Sequence, residues 1–207
     1  TSSDPKAVSV EPYQSEPDRA VVKGLKATQD PVVVTCKIGK YEAIVPFGVY
    51  DDTEHISGDY SYIDYGNGTI DITGYTGTES SLKIKSSIDG KEVVSIAGFE
   101  ENDDLKEVTI PNTVTEIAYN AFSNCVNLST VKFGSESELE YIGDSAFAAT
   151  GLTSISIPNT VTEMGESVFS GCQKLKTVTL SKRLEGIERG TFDYCIKLNE
   201  ITIPSSV

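Results

Sequence analysis

From about residue 90 onward, the chain repeats one short arrangement of apolar and polar positions. Five segments carry it: Leu105-x-x-Val108-x-Ile110, Leu128-x-x-Val131-x-Phe133, Leu152-x-x-Ile155-x-Ile157, Leu175-x-x-Val178-x-Leu180 and Leu198-x-x-Ile201-x-Ile203. Their leading leucines stand 23, 24, 23 and 23 residues apart. The alternation inside each segment predicts a short strand with one buried and one outward face. Three of these strands run into Pro111, Pro158 and Pro204, in the turns IPNTV, IPNTV and IPSSV. Proline has no N–H to donate to a neighbouring strand, so it ends the pairing at the same place each time. A second column comes next, in pairs five residues apart: Val94/Phe99, Ile117/Phe122, Ile142/Phe147, Met164/Phe169 and Ile187/Phe192. Each unit therefore predicts a strand, a turn, a second extended piece, and a small-residue turn closing on Phe.

A unit of about 23 residues is too small to bury its own apolar face, and a stack of such units buries like on like in one continuous core. The recurring turn is the corner that every coil must take.

The motif F-x-x-C-x-x-L-x-x-[IV]-x-[IL]-P-x-x-[VL]-x-x-I-x-x-x-A-F, seen in Phe122-Ser-Asn-Cys125-Val-Asn-Leu128 and Phe169-Ser-Gly-Cys172-Gln-Lys-Leu175, resembles the BspA-like leucine-rich repeats of bacterial surface proteins. Gly68–Gly77 and Ile88–Ile96 resemble the segment that caps such arrays. The unit of Phe147 departs from the motif, with Thr150 in place of Cys and one residue fewer before Leu152. The unit of Phe133 carries extra residues in the loop Gly134–Glu138. The resemblance implies a leucine-rich repeat solenoid, mostly short β-strands with turns and short helical or 3-10 pieces. It implies a right-handed coil of about 23-residue repeats with a small N-terminal β cap. It further implies an extracellular or cell-surface protein, exported after removal of a signal peptide, with an adhesion or protein-interaction role and no catalytic residues or cofactor. Partners of such solenoids contact the outward side of the main strands. Here that row is Glu107, Thr109, Thr130, Lys132, Ser154, Ser156, Thr177, Thr179, Glu200 and Thr202. Its Ser and Thr also simply suit strands.

Residues 1–18 hold Pro5, Pro12 and Pro17 among polar neighbours and read as a flexible linker. Residues 19–58 read as a small β-rich segment in which Val32–Ile38 and Tyr41–Val45 flank Gly39-Lys40 as a hairpin. Residues 59–207 form the repeat solenoid, with its capping segment at about 59–96.

Charge then narrows the partners. A net charge of −14 opposes nucleic acid and anionic membrane surfaces, and no run of apolar residues is long enough to insert in a bilayer. The expected partner is a protein or glycan at the cell surface, met by a monomer or weak dimer. Thr1 with Met164 as the sole Met points to a removed leader or a cut from a longer gene. The stop inside IPSSV suggests an open face that pairs with another chain or with a continuation of the array. Cys125, Cys172 and Cys195 fill one column three residues after the repeat Phe and read as reduced, buried thiols, and Cys36 as a free one. The one histidine, His55, reads as surface decoration. The acidic groups Asp51, Asp52, Glu54 and Glu100, Glu101, Asp103, Asp104 lack the alternate spacing of a calcium loop. Tyr60, Tyr62, Tyr65 and Tyr75 are open to two readings, as interface anchors or as packed rings. Alternative roles are an accessory domain of a larger secreted enzyme, or a repeat stalk presenting an N-terminal binding module.

Overall fold

A computed structural model describes residues 53–207 in full and, before them, the backbone of four strands. Two compact units divide the chain: Thr1–Glu54 with Ile63–Thr69, and His55–Tyr62 with Ile70–Val207. In the first, β1 (Val8–Pro12) pairs antiparallel with β2 (Ala20–Gly24), and β3 (Val32–Ile38) with β4 (Tyr41–Phe47). The β3–β4 register places Ile38 opposite Tyr41 across Gly39-Lys40. Val8–Pro12 falls in the stretch read as a linker. It is a strand there, its register setting Val10 opposite Val22, while the rest of residues 1–18 lies outside the described residues, as do the side chain of Cys36 and residues Asp51 and Asp52.

The second unit is a stack of coils, preceded by β5 (Glu54–Ser57), β6 (Tyr60–Asp64) and β7 (Thr69–Tyr75). Next come β8 (Ser81–Lys83), β9 (Ser87–Ile88) and β10 (Lys91–Ile96). The repeats continue as β11 (Glu107–Ile110), β12 (Glu116–Ile117), β13 (Thr130–Phe133), β14 (Tyr141–Ile142), β15 (Ser154–Ser156), β16 (Glu163–Met164), β17 (Thr177–Thr179) and β18 (Glu200–Ile201).

Three lines of hydrogen bonds join neighbouring coils. Along the main strands, β8, β11 and β13 form one parallel sheet, and β15, β17 and β18 another. Along the second pieces, β10, β12, β14 and β16 pair in parallel and continue the sheet through β7, β6 and β5. The third line runs through the turns at the repeat Phe: Phe99 N donates to Ala121 O, Phe122 N to Ala146 O, Phe147 N to Val168 O and Phe169 N to Thr191 O. The pieces expected to be helical are turns, and no helix occurs among the described residues. The reason is conformational. Residues two before and two after each of the last four repeat Phe take left-handed backbone angles: Asn120 and Asn124, Ser145 and Ala149, Ser167 and Gly171, Gly190 and Tyr194, with φ between 55° and 75°. Two such residues within five positions cannot extend a right-handed helix.

The core is a ladder of rings. Tyr60, Tyr75, Phe99, Phe122, Phe147, Phe169 and Phe192 succeed one another with centroids 5.0 to 5.8 Å apart, and the four later contacts lie within 25° of coplanar. Offset stacking at this spacing adds about 0.5–1.5 kcal/mol per pair beyond burial. Tyr60, Tyr62 and Tyr75 are buried, which decides the tyrosine question for these three in favour of packing. The second column needs one correction. Ile117 pairs with Ile96 across β10 and β12, whereas Val94 is only half-buried. The first unit is two residues shorter between this column and Phe99, so fixed counting from the Phe selects the wrong residue. Gly98 absorbs the shortening. Its φ is 76°, and a Cβ there would collide with Thr73 O.

Cys125, Cys172 and Cys195 are free and buried, and each thiol donates to the Phe carbonyl of the preceding coil: Cys125 Sγ to Phe99 O at 2.9 Å, Cys172 Sγ to Phe147 O and Cys195 Sγ to Phe169 O at 3.1 Å. Thr150, standing where the motif has Cys, donates instead to Phe147 O of its own coil and meets Cys172 Sγ at 3.1 Å. Burial raises all three thiol pKa values, Cys125 and Cys195 to about 11.

Two measurements test this packing. Phe147→Ala, in the middle of the ladder, should lower unfolding free energy by about 3–5 kcal/mol in urea titration, and Phe192→Ala, on a half-buried ring, by clearly less. Cys125 and Cys195, with only about one thiolate in a thousand at pH 8, should resist alkylation until the chain is unfolded. Rapid labelling of Cys125 or Cys195 in the native protein, located by peptide mapping, would contradict the burial described.

Candidate functional site

The expected contact row is built by strand alternation. Val108, Ile110, Ile155 and Val178 point into the core, so their neighbours point out. Register then aligns those neighbours into columns. Glu107 lies beside Thr130 and Thr109 beside Lys132, forming one patch on β11 and β13. Ser154 lies beside Thr177, Thr177 beside Glu200, and Ser156 beside Thr179, forming a second patch on β15, β17 and β18. Thr202 comes just after β18 and lines a hollow of about 430 Å³ with Val178, Leu180, Ile203 and Pro204. The row is thus two patches.

In the first patch, Lys132 Nζ lies 2.8 Å from Glu107 Oε2, and Ser81 Oγ donates to Glu107 Oε1 at 3.3 Å. The hydrogen bond from Lys132 is the main reason the Glu107 pKa falls below its ordinary value. The second patch exposes Ser154, Ser156, Thr177 and Thr179, a neutral hydroxyl surface flanked by Lys176 and Glu200.

The patches part at one seam. Lys106 O accepts from Ser129 N and Thr153 O accepts from Lys176 N, but Ser129 O receives no such bond from the next coil. Its cause is the loop Gly134–Glu138, with two more residues than the Pro turns, which leans toward the coil before it. Glu138 N donates to Asn112 O, and Gly134 packs so tightly on the Asn112 side chain that a Cβ there would overlap it. A cleft of about 420 Å³ opens on the other side, lined by residues that include Phe133, Pro158, Ser135, Ser156, Asn159 and Thr160. Of these only Ser156 belongs to the expected row. The signal for the rest lay in the loop length and in the residue missing before Leu152.

On the opposite sheet, Glu116, Tyr141 and Glu163 stand in register on β12, β14 and β16. Burial, and then the Asp71 carboxylate, raise the Glu116 pKa. Burial, followed by Asp144, Glu163 and Glu116, raises that of Tyr141. His55 is half-buried and stacks on Tyr62 at 5.3 Å. The Tyr62 hydroxyl donates to Asp89 Oδ2 and the Ser57 hydroxyl to Asp89 Oδ1, both at 2.9 Å, which lowers the Asp89 pKa. Asn102 Oδ1 accepts from the N–H groups of Asp104 and Leu105, so the Glu100–Asp104 stretch forms an exposed capped turn. Among the described residues, no three His, Cys, Asp or Glu side chains converge on a point where a metal would sit, and no helix is long and apolar enough to cross a membrane.

Parallel short strands stacked at a 23-residue spacing, with leucine leading each main strand and an inward Phe turn, define a leucine-rich repeat solenoid. The BspA type leucine rich repeat region matches residues 93–207 in 6 copies, and the chain belongs to that family. No curated protein matches the chain in sequence. Among solved structures, the T. pallidum Leucine Rich Repeat protein superposes with a TM-score of 0.55 at 25% identity, over 74% of this chain and 84% of that one. A leucine rich cell surface protein from Faecalibacterium prausnitzii gives 0.53 at 26% identity, over 73% of this chain and 55% of the other. A leucine-rich repeat protein from Bacteroides ovatus gives 0.52 at 26%, over 72% and 47% respectively. The chain thus spans about half the length of the last two.

A raised carboxyl pKa means that the ionised form is disfavoured in the fold, so this contribution to stability is present at low pH and lost as pH rises through the folded pKa. Glu116→Gln should therefore raise the melting temperature near pH 7 and leave it unchanged below about pH 4, as scanning calorimetry at the two pH values would show.

Proposed function

We propose that the repeat region is a protein-interaction module held at a bacterial cell surface, with adhesion as its use and no chemistry of its own. The observation that carries this reading is the in-register outward row of the main strands. It offers two rigid patches whose backbone is already ordered, so docking a partner costs little conformational entropy. Its Ser and Thr accept and donate hydrogen bonds with few charges to desolvate. Membership of the BspA type family, and likeness to a protein described as a leucine rich cell surface protein, support the surface setting. Export behind a signal peptide belongs to the same proposal, as do a protein or glycan partner and a chain that is monomeric or weakly dimeric. So do the boundaries at 1–18, 19–58 and 59–207.

A second reading is favoured by the division of the chain into two compact units. In it, the unit containing β1–β4 carries the specific binding and the repeats act as its stalk.

The test is capture of host matrix proteins by the full chain, compared with Thr109→Arg on the first patch and Thr177→Arg on the second. Both positions are outward, so the melting temperature should stay within a degree or two. Loss of roughly tenfold or more in affinity for one partner, from either substitution, is the expected result. Equal affinity for all three proteins would move the function to the N-terminal unit.

A further inference from the structure

β8 is the end strand of its sheet, whose order is β13, β11, β8. Its even-numbered neighbours face β11: Ser80 O accepts from Lys106 N and Glu107 N, and Ile84 N donates to Thr109 O. A strand turns the backbone groups of successive residues to opposite sides, so the N–H and C=O groups of Ser81 and Lys83 point to the open edge. Among the described residues no strand meets them there. Ser80, Ser81 and Lys83 are exposed, whereas Leu82 is buried. The edge closes at Lys85, whose backbone is hydrogen-bonded to the Tyr60 hydroxyl and whose Nζ lies 5.4 Å from the Tyr60 ring centre.

An open strand edge is a template for one more strand, and charge decides which strand fits. Lys83 and Lys85 stand two positions apart, both exposed, and line a hollow of about 360 Å³ with Ser86, Ser87 and Pro111. Lys132 follows Lys83 in the same outward column, beyond Thr109. The carboxylates nearby are engaged: Glu107 by Lys132 and Ser81, Glu79 by the Tyr75 hydroxyl, and Asp89 by the hydroxyls of Tyr62 and Ser57. Among the described residues neither Lys83 nor Lys85 is in an ion pair.

We infer that the edge of β8 binds an extended acidic segment of a partner protein, added as a strand. A second copy of this chain does not suit the edge. β8 against β8 sets Lys83 and Lys85 beside their own counterparts, and like charges on paired strands are destabilising. An acidic strand has alternate side chains about 6.8 Å apart, the same spacing as the two lysines, so its carboxylates reach both. The residues between them turn inward beside Leu82, so the segment alternates acidic and apolar side chains. A sulfated glycan would answer the lysines and leave the backbone groups of Ser81 and Lys83 without partners.

The test is titration of the full chain, at low salt, with a short blocked peptide of alternating Glu and Val, followed by backbone amide shifts. The peptide should bind with Kd around 1 mM or below, shift the amides of Ser81 and Lys83, and bind less as salt rises. The same peptide with alternate amides N-methylated keeps its charge and loses main-chain donors, so it should bind roughly tenfold more weakly. Lys83→Glu should weaken the Glu–Val peptide about tenfold and take up a Lys–Val peptide instead. Ser81→Pro removes an N–H that faces the open edge and not β11, so the fold should stand and the peptide bind less. The inference is overturned if the peptide does not bind at about 10 mM, if the N-methylated form binds equally well, or if Lys83→Glu leaves the affinity unchanged. It is overturned also if the shifts lie elsewhere, or if a sulfated oligosaccharide binds these residues more tightly than the peptide. Matrix-protein capture is a separate readout, so either proposal can fail while the other stands.

Discussion

Everything in the repeat region depends on one constraint: a coil of this length has no interior of its own. Its Leu, its second-column aliphatic and its Phe all become buried only when another coil lies on top. The ring ladder is the plainest expression of this. Phe122 and Phe147 are fully buried because each has a ring about 5 to 6 Å away on both sides, whereas Phe192 ends the ladder against Phe169 and is half-buried. The same dependence explains the polar core. The thiols of Cys125, Cys172 and Cys195 each find an acceptor, but always in the coil before, so even the internal hydrogen bonds are between units.

Much of this was legible in the sequence. Strict alternation in the main strands and the fixed step between leucines located the buried and outward sides of β11, β15 and β17, whereas Val131 and Phe133 on β13 are only half-buried and Ile203 of the last repeat is exposed. Two things were not legible. The left-handed residues around the later Phe rings vary in type (Asn, Ser, Gly, Ala149, even Tyr194), and at Asn120, Asn124, Ser145, Ala149, Ser167 and Gly171 the N–H group bonds to the next coil, so the angle there follows the stacking and not the side chain's own preference. The misassigned Val94 has a related cause: counting from the Phe assumes constant length, whereas pairing to the next coil decides which residue faces in.

The candidate site was legible as a row and illegible as two patches. Residue type alone predicts that Lys132 and Ser154 continue one surface. A two-residue lengthening in a turn separates them, together with its compensation one turn later, and both differences look tolerable because they fall outside strands. Their effect is to let one loop settle on Asn112 and leave the next coil facing empty space at Phe133. In a stack, a local change of length acts on the neighbour above and not on the residues that carry it.

That seam also alters how the stack deforms. Among the coils that begin at β8, β11 and β13, neighbours are stitched along three lines, and resistance to bending there is similar whichever way they are pushed. Between β13 and β15 only two lines remain, through β14 with β16 and through the Phe turns. Those two lines act as a spine, and the open side as the fore-edge of a book. Force applied along the stack should therefore open this joint on its unstitched side before it opens the joints between β8, β11 and β13, so the stack behaves as a stiff block joined to the later coils by a compliant link.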